Sequence, residues 1–80
     1  MSKSEIISSI NKILEEEFEI ESGALIETAD LYKELELDSL DAVDLVVALE
    51  GAFSIKIKEE KMREIHTLQE LYQLIEEHQN

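Results

Sequence analysis

The stretch Leu35-Glu36-Leu37-Asp38-Ser39-Leu40-Asp41-Ala42-Val43-Asp44-Leu45 marks an acidic loop turning into a helix, with a serine at the junction. From Ser39 onward Leu40, Val43, Val46, Val47, Leu49 and Phe53 recur at helical spacing, with Asp41, Asp44 and Glu50 elsewhere on the surface. Leu45 widens the apolar stripe, so this helix is expected to be the most buried. Glycine inside a helix costs about 1 kcal/mol relative to alanine, which places Gly51 in the last turn.

Upstream, Ser2 and Glu5 have the spacing of a capping box, in which each side chain satisfies an otherwise unpartnered backbone N–H. The helix they open carries Ile6, Ile7, Ile10, Ile13, Leu14 and Phe18 on one face. Glu15, Glu16 and Glu17 crowd its C-terminal end, where the helix dipole disfavours negative charge, so fraying is expected there. No long periodic element follows between Glu19 and Asp38. Leu25, Ile26, Leu31 and Leu35 are the expected anchors of this loop, Asp30 or Thr28 the cap of a single turn through Leu35, and Gly23 its bend.

Downstream, Ile55, Lys56, Ile57 and Lys58 alternate, but two isolated apolar positions without a partner strand cannot make a sheet. They read as an extended connector with inward isoleucines. Glu59 to Glu64 allows one or two helical turns buried through Met62 and Ile65. Thr67 and Glu70 form a second capping box, opening a last helix with Leu68, Leu71, Tyr72, Leu74 and Ile75 on its apolar face and a loose polar tail from Glu76 to Asn80. With no proline and two glycines in 80 residues, the punctuation of a β-rich chain is missing. The expected fold is all-α: a small four-helix bundle, three main helices plus a short third helix, with a long first loop.

Twenty acids against seven bases give a formal charge of −13, which repels nucleic acid and anionic membrane and favours partners with basic patches. The chain has no cysteine and only His66 and His78, so neither a disulfide nor a thiolate or histidine-rich metal site is expected, and the aspartates lack the spacing of a calcium loop. No apolar run approaches the roughly 20 residues that cross a membrane. A monomeric, cytoplasmic chain of one domain, residues 1–80, is expected. Charge is also segregated. From Leu14 to Ile55 the only base is Lys33, whereas Lys56, Lys58, Lys61 and Arg63 fall within eight residues.

A serine at a helix start is first of all an N-cap, a role that Asp38 could fill equally well. Hydrolytic chemistry at Ser39 would need a general base and an oxyanion hole, and neither His66 nor His78 has a Gly-rich elbow or a matching partner, so no catalytic residue is assigned. The other reading is an attachment point. At a helix N-terminus, backbone N–H groups and the dipole favour an anion, so a phosphodiester on Ser39 is electrostatically welcome.

Asp38-Ser39-Leu40 followed by Asp41-Ala42-Val43-Asp44-Leu45-Val46-Val47-Ala48-Leu49-Glu50 resembles the phosphopantetheine attachment helix of acyl carrier proteins. The likeness runs from Leu31-Tyr32 through Phe53, to Ile57 and to Ile65-His66-Thr67-Leu68. It implies a non-catalytic carrier. Ser39 would take 4′-phosphopantetheine from coenzyme A through a separate phosphopantetheinyl transferase, with magnesium on the transferase side. The thiol of that arm would hold acyl groups as thioesters for fatty-acid, polyketide or related lipid biosynthetic enzymes. By the same resemblance Asp38 flanks the attachment serine, and Leu40, Asp41, Asp44, Val47 and Glu50 form the face that docks on basic patches of partner enzymes. Val46, Leu49, Phe53, Ile57, Met62, Ile65, Leu68 and Leu71 would surround an acyl chain, beside their ordinary role as core. The alternative is an acidic helical adaptor that binds proteins on the same fold without acyl transfer.

Three departures from the family pattern stand out. Glu36 occupies a position where the family often has glycine, so the loop's approach is expected to differ. Gly51 and Ala52 replace acids at the end of the second helix, and Lys58 replaces a proline after Ile57. With Lys56, Lys61 and Arg63 alongside, these point to a specialised carrier with its own partner set.

Overall fold

The computed structural model describes residues 2–79. Its elements are α1 (Lys3–Glu17), a 3-10 turn (Ser22–Ala24), α2 (Ser39–Phe53), α3 (Glu59–Arg63) and α4 (Leu68–Gln79), within an envelope of 29 × 25 × 20 Å. The four helices match the expected bundle, and the long connection before α2 is present.

The helix starts follow local chemistry. Glu5 N–H donates to Ser2 Oγ at 3.2 Å and Ser2 N–H to Glu5 Oε1 at 3.0 Å, completing the capping box of α1. Glu70 N–H donates to Thr67 Oγ1, while Glu70 Oε1 accepts from the N–H groups of Thr67 and His66. Ile6, Ile10 and Leu14 bury the inner face of α1 against α4, which contributes Leu68, Leu71, Tyr72, Leu74 and Ile75. The Tyr72 hydroxyl reaches Asn11 Oδ1 on α1, so its polar end is satisfied at the buried seam.

Four expectations are corrected. The acidic end of α1 stays helical to Glu17, because the N–H groups of Phe18 and Ile20 both donate to the Leu14 carbonyl and Glu19 turns the chain in a left-handed conformation, φ 55°. The most buried helix is α4, not α2: Leu40, Val43 and Val47 are exposed, and only Leu45, Leu49 and Phe53 of α2 are buried. The tail from Glu76 continues α4 to Gln79, where Gln79 Nε2 donates to the Phe53 carbonyl at 3.2 Å; Asn80 lies outside the described residues. Ile26 does not anchor the loop, being 54% exposed.

The loop is instead held by Ala29, Leu31, Leu35 and Leu37, all buried, with Leu25 half-buried against them. Its backbone is pinned to the head of α4. Leu31 N–H donates to the His66 carbonyl at 2.8 Å, and the N–H groups of Leu68 and Gln69 donate to the carbonyls of Ala29 and Glu27. This isolated bridge between Asp30 and Thr67 is the only β-type pairing among the described residues. Asp30 caps the next turn as expected, its Oδ1 accepting from the N–H groups of Tyr32 and Lys33 at 2.8 and 2.9 Å. The turn and the Leu37 N–H bond to the Leu31 carbonyl deliver the chain to Asp38 in one fixed direction. Gly23 sits within the 3-10 turn. The connector after α2 is extended, with Ile57 buried and Ile55 half-buried, and α3 buries Met62.

Candidate functional site

Asp38 is the N-cap of α2. Its Oδ1 accepts from Asp41 N–H at 2.8 Å, and Asp41 Oδ2 accepts from Asp38 N–H at 3.2 Å, a capping box built from two aspartates. Ser39 is therefore the first helical residue, exposed to solvent, and its hydroxyl is not consumed as the cap. It projects from the end of α2 where backbone N–H groups and the helix dipole favour an anion.

A groove of about 570 Å³ opens on Ser39. One wall is a single stripe of α2: Ser39, Ala42, Val43, Val46, Val47 and Glu50 recur at spacings of three and one, covering roughly 16 Å at the helical rise of 1.5 Å per residue. Tyr32, Ile57, Glu59, Met62 and Arg63 form the other wall. The lining is mostly apolar, and its Arg63 is ion-paired with Glu59 at 2.7 Å. An open, largely apolar channel running from an exposed hydroxyl fits a long, flexible, mainly uncharged arm esterified at that hydroxyl. A second hollow of about 610 Å³ lies between the end of α1 and the loop, rimmed by Glu17, Glu19, Glu21, Glu34, Glu36 and Asp41. Ser39 is not part of it.

Of the residues expected to surround an acyl chain, Val46, Ile57 and Met62 line the groove. Leu49, Phe53, Ile65, Leu68 and Leu71 are buried in the common core and do not. Of the expected docking face, Leu40 is 74% and Val47 63% exposed and Asp44 is exposed; Asp41 and Glu50 are half-buried. Glu50 has a structural bond as well, its Oε2 accepting from Ile57 N–H at 2.9 Å, which ties the connector to α2. Sequence reasoning missed Val43, 59% exposed, as a surface residue, and Tyr32, Ala42, Glu59 and Arg63 as groove residues. Ala42 and Val43 were legible by counting three and four residues from Ser39. Tyr32 and Arg63 reach the groove only through tertiary packing. The Tyr32 ring is itself set edge-on against His66, with centroids 6.4 Å apart.

No group of three or more His, Asp or Glu side chains among the described residues is arranged to hold a metal ion, and no helix among them is long and apolar enough to cross a membrane.

Comparison with known proteins agrees with this geometry. Residues 6–75 match the family model described as a phosphopantetheine attachment site. The chain is similar to an acyl carrier protein of Prochlorococcus marinus, 38% identical over 76 residues, covering 95% of each chain. It is also similar to acyl carrier protein 2 of Ralstonia nicotianae, 37% identical over 68 residues, covering 85% of this chain and 84% of that one. Its fold matches a crystal structure of an acyl carrier protein from Thermotoga maritima with a TM-score of 0.82 and 26% identity, covering 98% of this chain and 91% of the other. The family match over most of the chain thus defines a phosphopantetheine attachment domain. The chain belongs to the acyl carrier protein family, whose cofactor is covalently attached 4′-phosphopantetheine.

Proposed function

We propose that Ser39 is the attachment residue and that the chain, acting as one carrier domain, presents acyl thioesters to biosynthetic enzymes. The observation that carries this reading is the division of labour at the head of α2: Asp38 and Asp41 complete the cap between them, and Ser39 stands exposed at the mouth of the groove. In the loading step the Ser39 oxygen bonds to the phosphorus that bears the pantetheine of coenzyme A. The pyrophosphate P–O bond breaks, 3′,5′-adenosine bisphosphate leaves, and the serine proton passes to a base of a separate phosphopantetheinyl transferase. Once bound, the arm supplies the thiol that this cysteine-free chain lacks.

The chain's own residues then position the arm. The α2 N-terminus faces the phosphodiester favourably, and Val43, Val46, Val47, Ile57 and Met62 give apolar surface to the arm or its cargo. Leu40, Val43 and Val47 form an exposed apolar strip on α2 beside Asp41, Asp44 and Glu50, the composition of a docking surface with an apolar centre and a charged rim. Partner enzymes with basic patches fit it. Loading with an acyl-coenzyme A and a broad transferase, followed by neutral hydroxylamine, separates this reading from a pure adaptor. A carrier first gains the acyl arm and then loses only the acyl group as its hydroxamate, whereas a chain that gains no acyl arm is an adaptor.

A further inference from the structure

Among the residues that line the Ser39 groove, Arg63 is the only base, and Glu50 and Glu59 are the acids. Asp38 and Asp41 cap α2 at the groove's mouth, so a phosphodiester on Ser39 adds negative charge beside carboxylates in a chain already at −13. Besides the α2 N-terminus, one guanidinium is what the groove has to offset it.

The chain path sets Arg63 toward the Ser39 end. At the far end of the α2 stripe, Ile57 N–H donates to Glu50 Oε2 at 2.9 Å, which fixes the start of the outer wall there. At the near end, the His66 carbonyl accepts from Leu31 N–H at 2.8 Å, and the His66 ring stands edge-on to Tyr32. The Leu31 carbonyl in turn accepts from the N–H of Leu37, two residues before Ser39. The outer wall thus begins beside Glu50 and returns to the Ser39 end, and of its lining residues from 57 to 63 Arg63 is nearest that end along the chain. Glu59 lies one turn behind it. The Arg63 side chain is 73% exposed, and its bond to Glu59, itself 77% exposed, uses Nη2 alone. An exposed pair of this kind is weak and easily exchanged.

We propose that Arg63 binds the phosphodiester of the arm. Once 4′-phosphopantetheine is on Ser39, the guanidinium exchanges Glu59 for the phosphate oxygens and holds the root of the arm against the groove. Its planar fork matches phosphate with two parallel N–H bonds, and a phosphate tethered on the same groove competes at the high effective concentration of a short linker. The proposal rests on the carrier reading above.

The native chain, Arg63→Gln and Glu59→Gln are compared without the arm and after loading by a transferase with coenzyme A, intact mass confirming each state. Melting temperature is read at about 0.01 M ionic strength, as the loaded-minus-unloaded difference for each protein. That difference is expected to be about 4 °C more favourable in the native chain than in Arg63→Gln, and the two to converge near 1 M salt, where screening reaches about 3 Å. Glu59→Gln breaks the same ion pair but leaves Arg63 free for the phosphate, so it is expected to keep the native difference or enlarge it. The phosphorus-31 resonance of the loaded chain is expected to move, on Arg63→Gln, toward its position in the urea-unfolded loaded chain. If Arg63→Gln does not fold, Arg63→Lys replaces it, with the same direction and a smaller amplitude, since lysine keeps the charge and loses the fork. A native chain that takes no arm overturns the carrier reading and this proposal with it. A native chain that takes the arm overturns this proposal alone if its difference equals that of Arg63→Gln, if Glu59→Gln loses as much as Arg63→Gln, or if Arg63→Gln leaves the phosphorus resonance in place.

Discussion

Asp38 and Ser39 divide two tasks that one serine at a helix start could have combined. The cap is made by Asp38 and returned by Asp41, so removing it is expected to weaken the fold without touching the Ser39 oxygen proposed for attachment. Asp38→Ala should lower stability by about 1 kcal/mol, and Asp38→Asn, which keeps a capping oxygen, by much less; urea unfolding of the two variants checks this. Two residues earlier, Glu36 holds φ at 59°, a left-handed conformation that costs a side-chain-bearing residue about 1–2 kcal/mol. The family's frequent glycine at this position marked the spot in the sequence. The backbone at Glu36 takes the positive φ that glycine favours, and the strain stays in Glu36. Glu36→Gly is therefore expected to raise the melting temperature by about 4 °C, a gain of about 1 kcal/mol, with Glu36→Ala giving no such rise. Equal shifts for the two variants would mean that charge, not conformation, is what Glu36 adds.

The helix starts were legible in the sequence because capping is local: Ser2 with Glu5 and Thr67 with Glu70 need only three residues of chain. The buried face of α2 was not. Apolar residues occupy positions 40, 43, 45, 46, 47, 49 and 53, nearly all round the helix, so periodicity could not separate the core face of Leu45, Leu49 and Phe53 from the exposed strip of Leu40, Val43 and Val47. That ambiguity came from surface reserved for something other than the core. Gly51 lies in the last turn as expected, and a Cβ there would meet nothing within 4 Å. Gly51→Ala should add about 1 kcal/mol, read as a higher melting temperature with unchanged circular dichroism. The docking of the first loop was legible at Leu25, Asp30, Leu31 and Leu35. Ala29, Leu37 and the hydrogen bonds to residues 66–69 depend on a partner more than thirty residues away. This junction also sets an acid response. Backbone N–H groups of Lys33 and Tyr32 hold the Asp30 carboxyl below its ordinary value of 3.8, and those of Thr67 and His66 hold Glu70 below 4.5. A carboxyl whose folded pKa is depressed contributes fully above its unfolded value and loses that contribution as pH falls through the folded one. Stability should thus fall with acid below pH 4.5, and Glu70→Gln should flatten that limb, as thermal unfolding at stepped pH would show. An unchanged slope would remove Glu70 from the account.

At the scale of the molecule, a charge of −13 is spread over a bundle with one ion pair among its described residues, between the exposed side chains of Arg63 and Glu59. An isolated exposed pair is worth about 0–1 kcal/mol, so it does not offset the repulsion of the remaining acids. The melting temperature is expected to climb as ionic strength rises from about 0.01 to 0.15 M and the screening length falls from about 30 to 8 Å. A flat melting temperature over that range would show that the acids are too dispersed to repel. The same field makes the chain attractive to basic surfaces. The proposed function depends on one bond at Ser39. The most direct measurement is intact mass after incubation with coenzyme A, magnesium and a broad phosphopantetheinyl transferase, on the native chain and on Ser39→Ala. The account predicts that the native chain gains one phosphopantetheine and Ser39→Ala gains none; no gain on the native chain, or an equal gain on both, would contradict it.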